Sequence, residues 1–307
     1  MQPSEVRRQL YERRGRRPWS RALLPYVLVA PCMLLLGGLL LYPLADEMYL
    51  SLTHWNLLYQ ASARYVGFST YAKLFQDSIF WSSLWRTCEW TVGTVIIEFA
   101  VALPLAMALN HRTRLTGLAT GLILLPWIAP TTVVSYAWVW ILDSQFGFVT
   151  AALRTVHLVG STSPLASYSS ALPAVVVASG WKGAPFMAIL LLAALKDIPA
   201  ELHEAAQIDG AGFFRRHVHI TLPALRKTAL VSGMLLAIWA FYSFDFAWLM
   251  TQGGPGDATE LAAVYLFKTY QWDLDYSYAA EIGMGMFAIL AAVIVVYLAT
   301  ARPNKEV

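Results

Sequence analysis

The run His203-Glu204-Ala205-Ala206-Gln207 comes close to the His-Glu-x-x-His pattern, in which two imidazoles one helical turn apart hold zinc beside a general base. Gln207 stands where the second imidazole must be, so the pattern fails as a metal site. No lysine follows a glycine, which removes the Gly-Lys-Ser/Thr loop that cradles nucleotide phosphates. A Gly-x-Ser-x-Gly nucleophile elbow is also missing. Cys32 and Cys88 are too few for a disulfide framework or a metal cluster and read as two buried, small apolar side chains. The remaining chemistry is that of binding. Glu98, Lys182 and Asp245 fall inside apolar runs and Glu281 falls near the end of one; ionisable groups at such depth face a bundle interior and mark a pathway or a pair. Trp239, Tyr242 and Phe246 are spaced three and four apart, so on one continuous helix they share a face, with Phe241, Asp245 and Trp248 on the adjacent stripe. Aromatic plates beside a carboxylate suit a solute with an apolar ring face and a rim of hydroxyls. Ordinary helix packing and structural ion pairing account for the same residues, and the sequence leaves both readings open.

The elements that must position these groups are membrane helices. Of 307 residues, 58% are hydrophobic and 13% charged, against about 45–50% and 25% in soluble domains. Mean hydropathy is +0.53, and the net charge of +3 gives no reason to invoke nucleic acid. Six apolar runs are long enough to span a bilayer: 23–42, 91–109, 118–142, 172–195, 229–250 and 279–300. None alternates as a barrel strand does. The predicted fold is therefore all-α, polytopic, with six transmembrane helices. The first run follows an arginine-rich segment and is too long for a signal core, so it reads as an uncleaved span. If segment 1–22 is cytoplasmic, the inner segments carry most of the basic residues, among them Arg112, Arg114, Lys196, Arg215, Arg216, Arg226 and Lys227. The outer segments keep only Arg64, Lys73, Arg86, Arg154 and Lys268. Both termini are then cytoplasmic, with 43–83 an extracytoplasmic segment that includes a short helix near 70–75, 84–300 the transmembrane core, and 301–307 an inner tail. Pro104, Pro126, Pro130 and Pro185 interrupt the backbone bonding of their spans.

The inner loop 196–225 carries the most informative pattern. Asp197 can cap a helix that Pro199 starts. Residues 200–209 are good helix formers, and Gly210 can take the left-handed turn that ends them. A second short helix is predicted to about Thr221, with Pro223 leading into the fifth span. Ala205, Ala206 and Ala211 form a small-residue face that another protein can approach closely.

The run Glu204-Ala205-Ala206, then Asp209-Gly210-Ala211, then Ile220-Thr221-Leu222-Pro223, resembles the EAA loop of ATP-binding-cassette importer permeases. His217 is a mild departure, since that family often has an aromatic there. Tyr65–Tyr71, Gly180–Phe186 and Thr251–Gly256 resemble the carbohydrate-uptake branch, in its maltose and glycerol-phosphate types, and the last of them resembles the first, F-type, permease of the pair. The likeness runs over nearly the whole chain after residue 20. It implies a type I importer permease in a bacterial inner membrane that moves a sugar or sugar-like solute by alternating access. It implies as partners a second, G-type permease, two ATPase subunits that carry the ATP and magnesium, an extracytoplasmic solute-binding protein, and lipid. The loop then couples to the ATPase through Glu204, Ala205, Ala206, Asp209, Gly210, Ala211 and Pro223. The expected solute route is lined by Trp239, Tyr242, Asp245, Phe246, Lys182 and Glu98, and residues 253–256 form a flexible lip above it. The rival reading is an ion-coupled secondary transporter, which needs no ATPase but commonly shows internal repeats and a midplane ion site. No repeat is visible, and that reading leaves the loop unexplained.

Overall fold

A computed structural model describes residues 19–111 and 115–300 of the chain. The arginines of segment 1–18, Arg112 and Arg114, and the tail 301–307 lie outside the described residues. Helix α1 (Trp19–Leu50) leads into a two-residue antiparallel ribbon of β1 (Thr53–His54) and β2 (Arg64–Tyr65), with Thr53 opposite Tyr65. The short α2 (Tyr71–Gln76) lies close to the helix predicted near 70–75. Asp77 then caps α3 (Ser78–Asn110), its carboxylate accepting the Ile79 N–H at 2.8 Å. At 1.5 Å per residue α3 is about 50 Å long, against roughly 30 Å of hydrocarbon. The apolar runs therefore mark only the embedded part of each helix, and α3 begins well inside the segment expected to be extracytoplasmic loop.

Among the described residues five helices are long and apolar enough to cross a membrane: α1, α3, α7 (Tyr168–Lys196), α9 (Phe213–Phe241) and α12 (Tyr276–Thr300). The third expected span, 118–142, is not one helix. It is α4 (Thr116–Ile128) and α5 (Thr131–Ile141), bent by 90° at the break. Pro130 lacks an N–H and excludes the preceding residue from the helical region, so Ala129 is extended. Pro104 and Pro185, by contrast, sit inside continuous helices. The fifth expected span, 229–250, is broken as well: α9 stops at Phe241, and after residues 242–244 the chain restarts as α10 (Asp245–Thr251). Between the spans lie α6 (Phe148–Thr155), the loop helix α8 (Ala200–Ile208) and α11 (Ala262–Gln271).

Helices α3 and α7 form the central pair. They approach closely through small residues, the usual solution where lipid offers no hydrophobic drive for helix association; a Cβ on Gly180 would lie 2.6 Å from Ile97. One apolar cluster, around Trp90, Val175 and Phe246, fills one end of this pair, and a second, around Ala106, Met187 and Leu191, fills the other. A third, around Phe80, Ile282 and Met286, ties α12 to α3. Cys32 and Cys88 are both exposed, contrary to the reading that they are buried. A lipid-facing surface is as apolar as an interior, so an apolar run does not tell the two apart.

Candidate functional site

Two features stand out, one at the loop between α7 and α9 and one between the two apolar clusters. In the loop, Asp197 closes α7 rather than capping α8: Pro199 occupies the N-cap position and no side chain bonds there. The end of α8 follows its sequence closely. Gly210 has φ +79°, its N–H donates to the Gln207 carbonyl at 3.1 Å, and the Ala211 N–H donates to the Ala206 carbonyl at 2.8 Å. These are the paired bonds of a Schellman turn, which needs a left-handed residue where Gly210 stands. The tip is polar and apolar together: Glu204 and Ala205 are exposed, and Ile208 and Phe214 are 86% and 80% exposed. Among the described residues a Cβ on Gly210 would meet nothing beyond its chain neighbours within 4 Å, so this surface is open.

The second loop helix is not a separate piece. Phe213–Arg216 runs through a π turn at His217–Thr221 into Leu222–Phe241, all of it α9. Pro223 has no N–H to give and its ring presses on the carbonyl four residues earlier; widening the preceding turn relieves both. Arg216 reaches back from α9 to the Gln207 side chain at 3.3 Å. The loop helix α8 is thus tied directly to a membrane helix.

The second feature is a cleft of about 180 Å³. Thr94 and Glu98 of α3, Trp127 of α4, Thr131 of α5, and Ser179, Lys182, Gly183 and Phe186 of α7 line it. Leu236, Trp239 and Ala240 of α9, Ser243 of the break, and Asp245 and Phe246 of α10 complete the wall. Five of the six residues expected on the solute route meet here. Tyr242 is not among the lining residues; it packs edge-on against Phe241 and is half-exposed. The shared face inferred for Trp239, Tyr242 and Phe246 needed an unbroken helix, and the break at 242–244 turns Tyr242 away.

One wall is aromatic. Trp127 stacks on Phe186 at 5.1 Å between centroids, and Phe186 lies 5.6 Å from Trp239. Facing it are polar groups. Glu98 is only 6% exposed, and neither its Oε2 nor the Thr94 hydroxyl one turn away makes a hydrogen bond among the described residues. Lys182 donates to the Trp127 carbonyl at 3.2 Å. That carbonyl is one of those the Pro130 break deprives of an intrahelical partner, and a cation at a helix C-terminus is favoured there. Asp245 sits in the first turn of α10, where the helix dipole favours a negative charge, and lines the same cleft as Lys182. Trp90, 0% exposed, donates from its indole to the Ala240 carbonyl at 3.1 Å beside the other break. The two broken helices therefore border the gap, while the continuous α3 and α7 contribute Thr94, Glu98, Lys182 and Phe186 to it.

The glycine-rich turn 253–256, expected as a flexible lip, is packed and bonded. Thr251 and Thr259 share a hydrogen bond of 2.6 Å, Thr259 donates to the Gly254 carbonyl at 3.0 Å, and the loop is pinned by the Arg86–Asp257 ion pair at 2.6 Å. Trp127, Phe186 and Thr94 were not singled out from sequence. The i, i+4 pair Thr94–Glu98 was the available signal; the aromatic partners come from three different helices and leave none.

Gly183 fits this site for steric reasons. A Cβ there would fall inside the Glu98 carboxylate. Gly183→Ala should therefore cut solute uptake about tenfold by displacing the buried acid, and adding Glu98→Ala should not restore uptake, because the clash is gone but so is the carboxylate. Equal uptake in wild type and Gly183→Ala would remove Glu98 from the site.

Comparison with known proteins identifies the family. The profile of the family described as "Binding-protein-dependent transport system inner membrane component" matches residues 100–302. The sulfoquinovosyl glycerol transport permease of Agrobacterium fabrum is 33% identical over 91% of each chain. The trehalose/maltose transport permease of Thermococcus litoralis is 31% identical over 94% of this chain and 97% of its own. Among solved structures, a chain of a bacterial alginate ABC transporter, in complex with its alginate pentasaccharide-bound periplasmic protein, superposes with a TM-score of 0.78 at 20% identity. That match covers 95% of this chain and 99% of the other.

Proposed function

The chain belongs to the family of binding-protein-dependent transport system inner membrane components, and from that premise we propose that it is the F-type permease of an ATP-driven importer for a sugar or sugar-like solute. The family places it in the inner membrane as a multi-pass protein. The observation that carries the solute class is the cleft, lined by three aromatic rings together with the ionisable side chains of Glu98, Lys182 and Asp245. Aromatic faces cover the apolar side of a sugar ring, and its hydroxyls hydrogen-bond charged side chains. Relatives named for trehalose, maltose and sulfoquinovosyl glycerol support the same class. An oligosaccharide and a polyol phosphate both fit it.

At 180 Å³ the cleft is smaller than the roughly 300–1,000 Å³ of a complete small-molecule site. A second, G-type permease that faces it would supply the remaining wall. The open surface around Ala205, Ile208, Gly210 and Phe214 is the docking face for the ATPase, which holds the ATP and magnesium. Closure of two ATPase subunits would move α8, and its link through Arg216 and the unbroken start of α9 carries that movement to Leu236, Trp239 and Ala240 in the cleft. The outer ends of α3, α7 and α12 face the extracytoplasmic binding protein, in the orientation set by the basic residues. Because each state must bind its partners with a different affinity for the cycle to turn, the two breaks at 129–130 and 242–244 are the places where the cleft changes shape.

Reconstitution tests this reading. The chain should co-purify with an ATPase and a second permease, and proteoliposomes with all components should accumulate labelled maltose or trehalose only with ATP and a binding protein. Uptake by the isolated chain driven by a proton or sodium gradient would replace this reading with secondary transport.

A further inference from the structure

At the end of the bundle opposite α8, a recess of about 500 Å³ opens between the last turns of α1, the residue after β1, α11 and the start of α12. Its volume lies within the range of small-molecule sites. The walls are aromatic. The Tyr276 ring lies 4.9 Å from that of Trp55 at 70°, and 5.0 Å from that of Tyr270 at 42°. These rings are turned toward one another, as the sides of a box are, and are not stacked. Tyr42 of α1 is a fourth, one turn before Asp46 on the same helix face. Tyr42 and Tyr270 are exposed, and Trp55 and Tyr276 are half-buried, so ring surface is open to a ligand.

Asp46 and Glu47 bring negative charge to this box, and no lysine, arginine or histidine lines it. Among the described residues neither carboxylate makes an ion pair; the pairs formed are Arg86–Asp257 and Lys268–Glu260. Asp46 is exposed and Glu47 half-buried, so both are within reach of a ligand. Space is kept for Glu47 on the facing helix: a Cβ on Gly283 of α12 would collide with its Oε1. A carboxylate at the end of an apolar span is costly without a counter-charge, and aromatic faces attract cations. Both signals call for a cation. The carboxylates also accept hydrogen bonds, for which a primary ammonium has three N–H groups and a quaternary ammonium none.

We propose that this recess holds the ethanolamine headgroup of a phospholipid from the leaflet at that end of the bundle, its ammonium donating to Asp46 and Glu47 inside the aromatic box. A lipid suits the surroundings. Pro43, Leu50 and Leu266 give the recess an apolar floor, and the apolar stretch of α1 carries no buried residue, so this helix meets the bilayer. Tyrosine and tryptophan are the side chains that sit at headgroup level, and the tyrosine hydroxyls can donate to the lipid phosphate. A headgroup with a phosphate and no ammonium would meet only negative charge here. Helix α1 packs on the rest of the chain chiefly through α12, so a lipid held between the two fastens the first span to the bundle. No residue of the membrane cleft takes part, and the inference stands apart from the identity of the solute.

The test is native mass spectrometry of the complete importer titrated with phosphatidylethanolamine, phosphatidylcholine or phosphatidylglycerol of identical chains. Wild type should bind the ethanolamine lipid at least tenfold more tightly than either other lipid. The double variant Asp46→Asn with Glu47→Gln keeps the shape and removes the charge; it should lose that preference while binding of the other two lipids stays the same. Gly283→Ala leaves both charges in place but displaces the Glu47 carboxylate, and should weaken the ethanolamine lipid several-fold. It decides the matter should the double variant fail to assemble. Equal binding of the three lipids by wild type overturns the proposal, as does a preference for phosphatidylcholine, which would make the box a site for aromatic contact alone. A preference that survives in either assembled variant overturns it too. Loss of the second permease or of the binding protein from both variants, with ethanolamine-lipid binding unchanged, overturns it and makes the recess a socket for a basic side chain of a partner.

Discussion

Gly210→Val in the assembled importer should lower solute uptake by about thirtyfold or more while the ATPase still hydrolyses ATP. A non-glycine residue at φ +79° carries roughly 1–2 kcal/mol of left-handed strain, which alone corresponds to about a five- to thirtyfold shift. The Schellman bonds from Gly210 and Ala211 that close α8 would be weakened with it. Among the described residues nothing beyond its chain neighbours lies within 4 Å of the new Cβ, so added bulk is felt only by whatever covers the surface. Gly210→Asn separates the two causes, because asparagine tolerates the left-handed region; any uptake it loses measures obstruction of the docked partner. Ala205→Trp should act through bulk alone. Transport rates and complex yield that match wild type in Gly210→Val and Ala205→Trp would dismiss the coupling role of this loop.

Trp239→Ala and Asp245→Ala should each reduce uptake about tenfold in complexes that still assemble, whereas Tyr242→Ala should leave it within about twofold of wild type. Trp239 ends the aromatic wall, and Asp245 opens α10 opposite Lys182. Tyr242 stands outside the cleft. The three lie within seven positions of one another, so this pattern of effects reports the helix break itself. If Tyr242→Ala is as harmful as Trp239→Ala, the unbroken helix is the better description; if all three transport normally, the cleft is packing and the solute passes elsewhere.

The composition and the six apolar runs were enough to establish a helical membrane protein, because lipid leaves helices as the one self-satisfying element within a single segment short of a barrel. The loop was legible for a similar reason. Its turn depends on one glycine and on bonds between residues 206 and 211, all local. Its resemblance to the EAA loop rested on contiguous residues, and the family profile agrees with it.

The sequence did not show where helices break. Pro104, Pro130 and Pro185 look alike as letters, yet of these three only Pro130 sits at a 90° bend, while the other two lie inside the continuous helices α3 and α7. No proline marks the break at 242–244 at all; Trp90, from 150 positions away, donates to the Ala240 carbonyl beside it. Apolar runs do not report which side faces lipid, which is why Cys32 and Cys88 were misplaced. The cleft depends on the same long-range packing. The charges Glu98, Lys182 and Asp245 could be picked out individually, because ionisable groups in an apolar run stand out. That they surround one space with Trp127 and Phe186 was decided only when six helices came together, since each contributes one or a few side chains and none carries a periodic signal of its own.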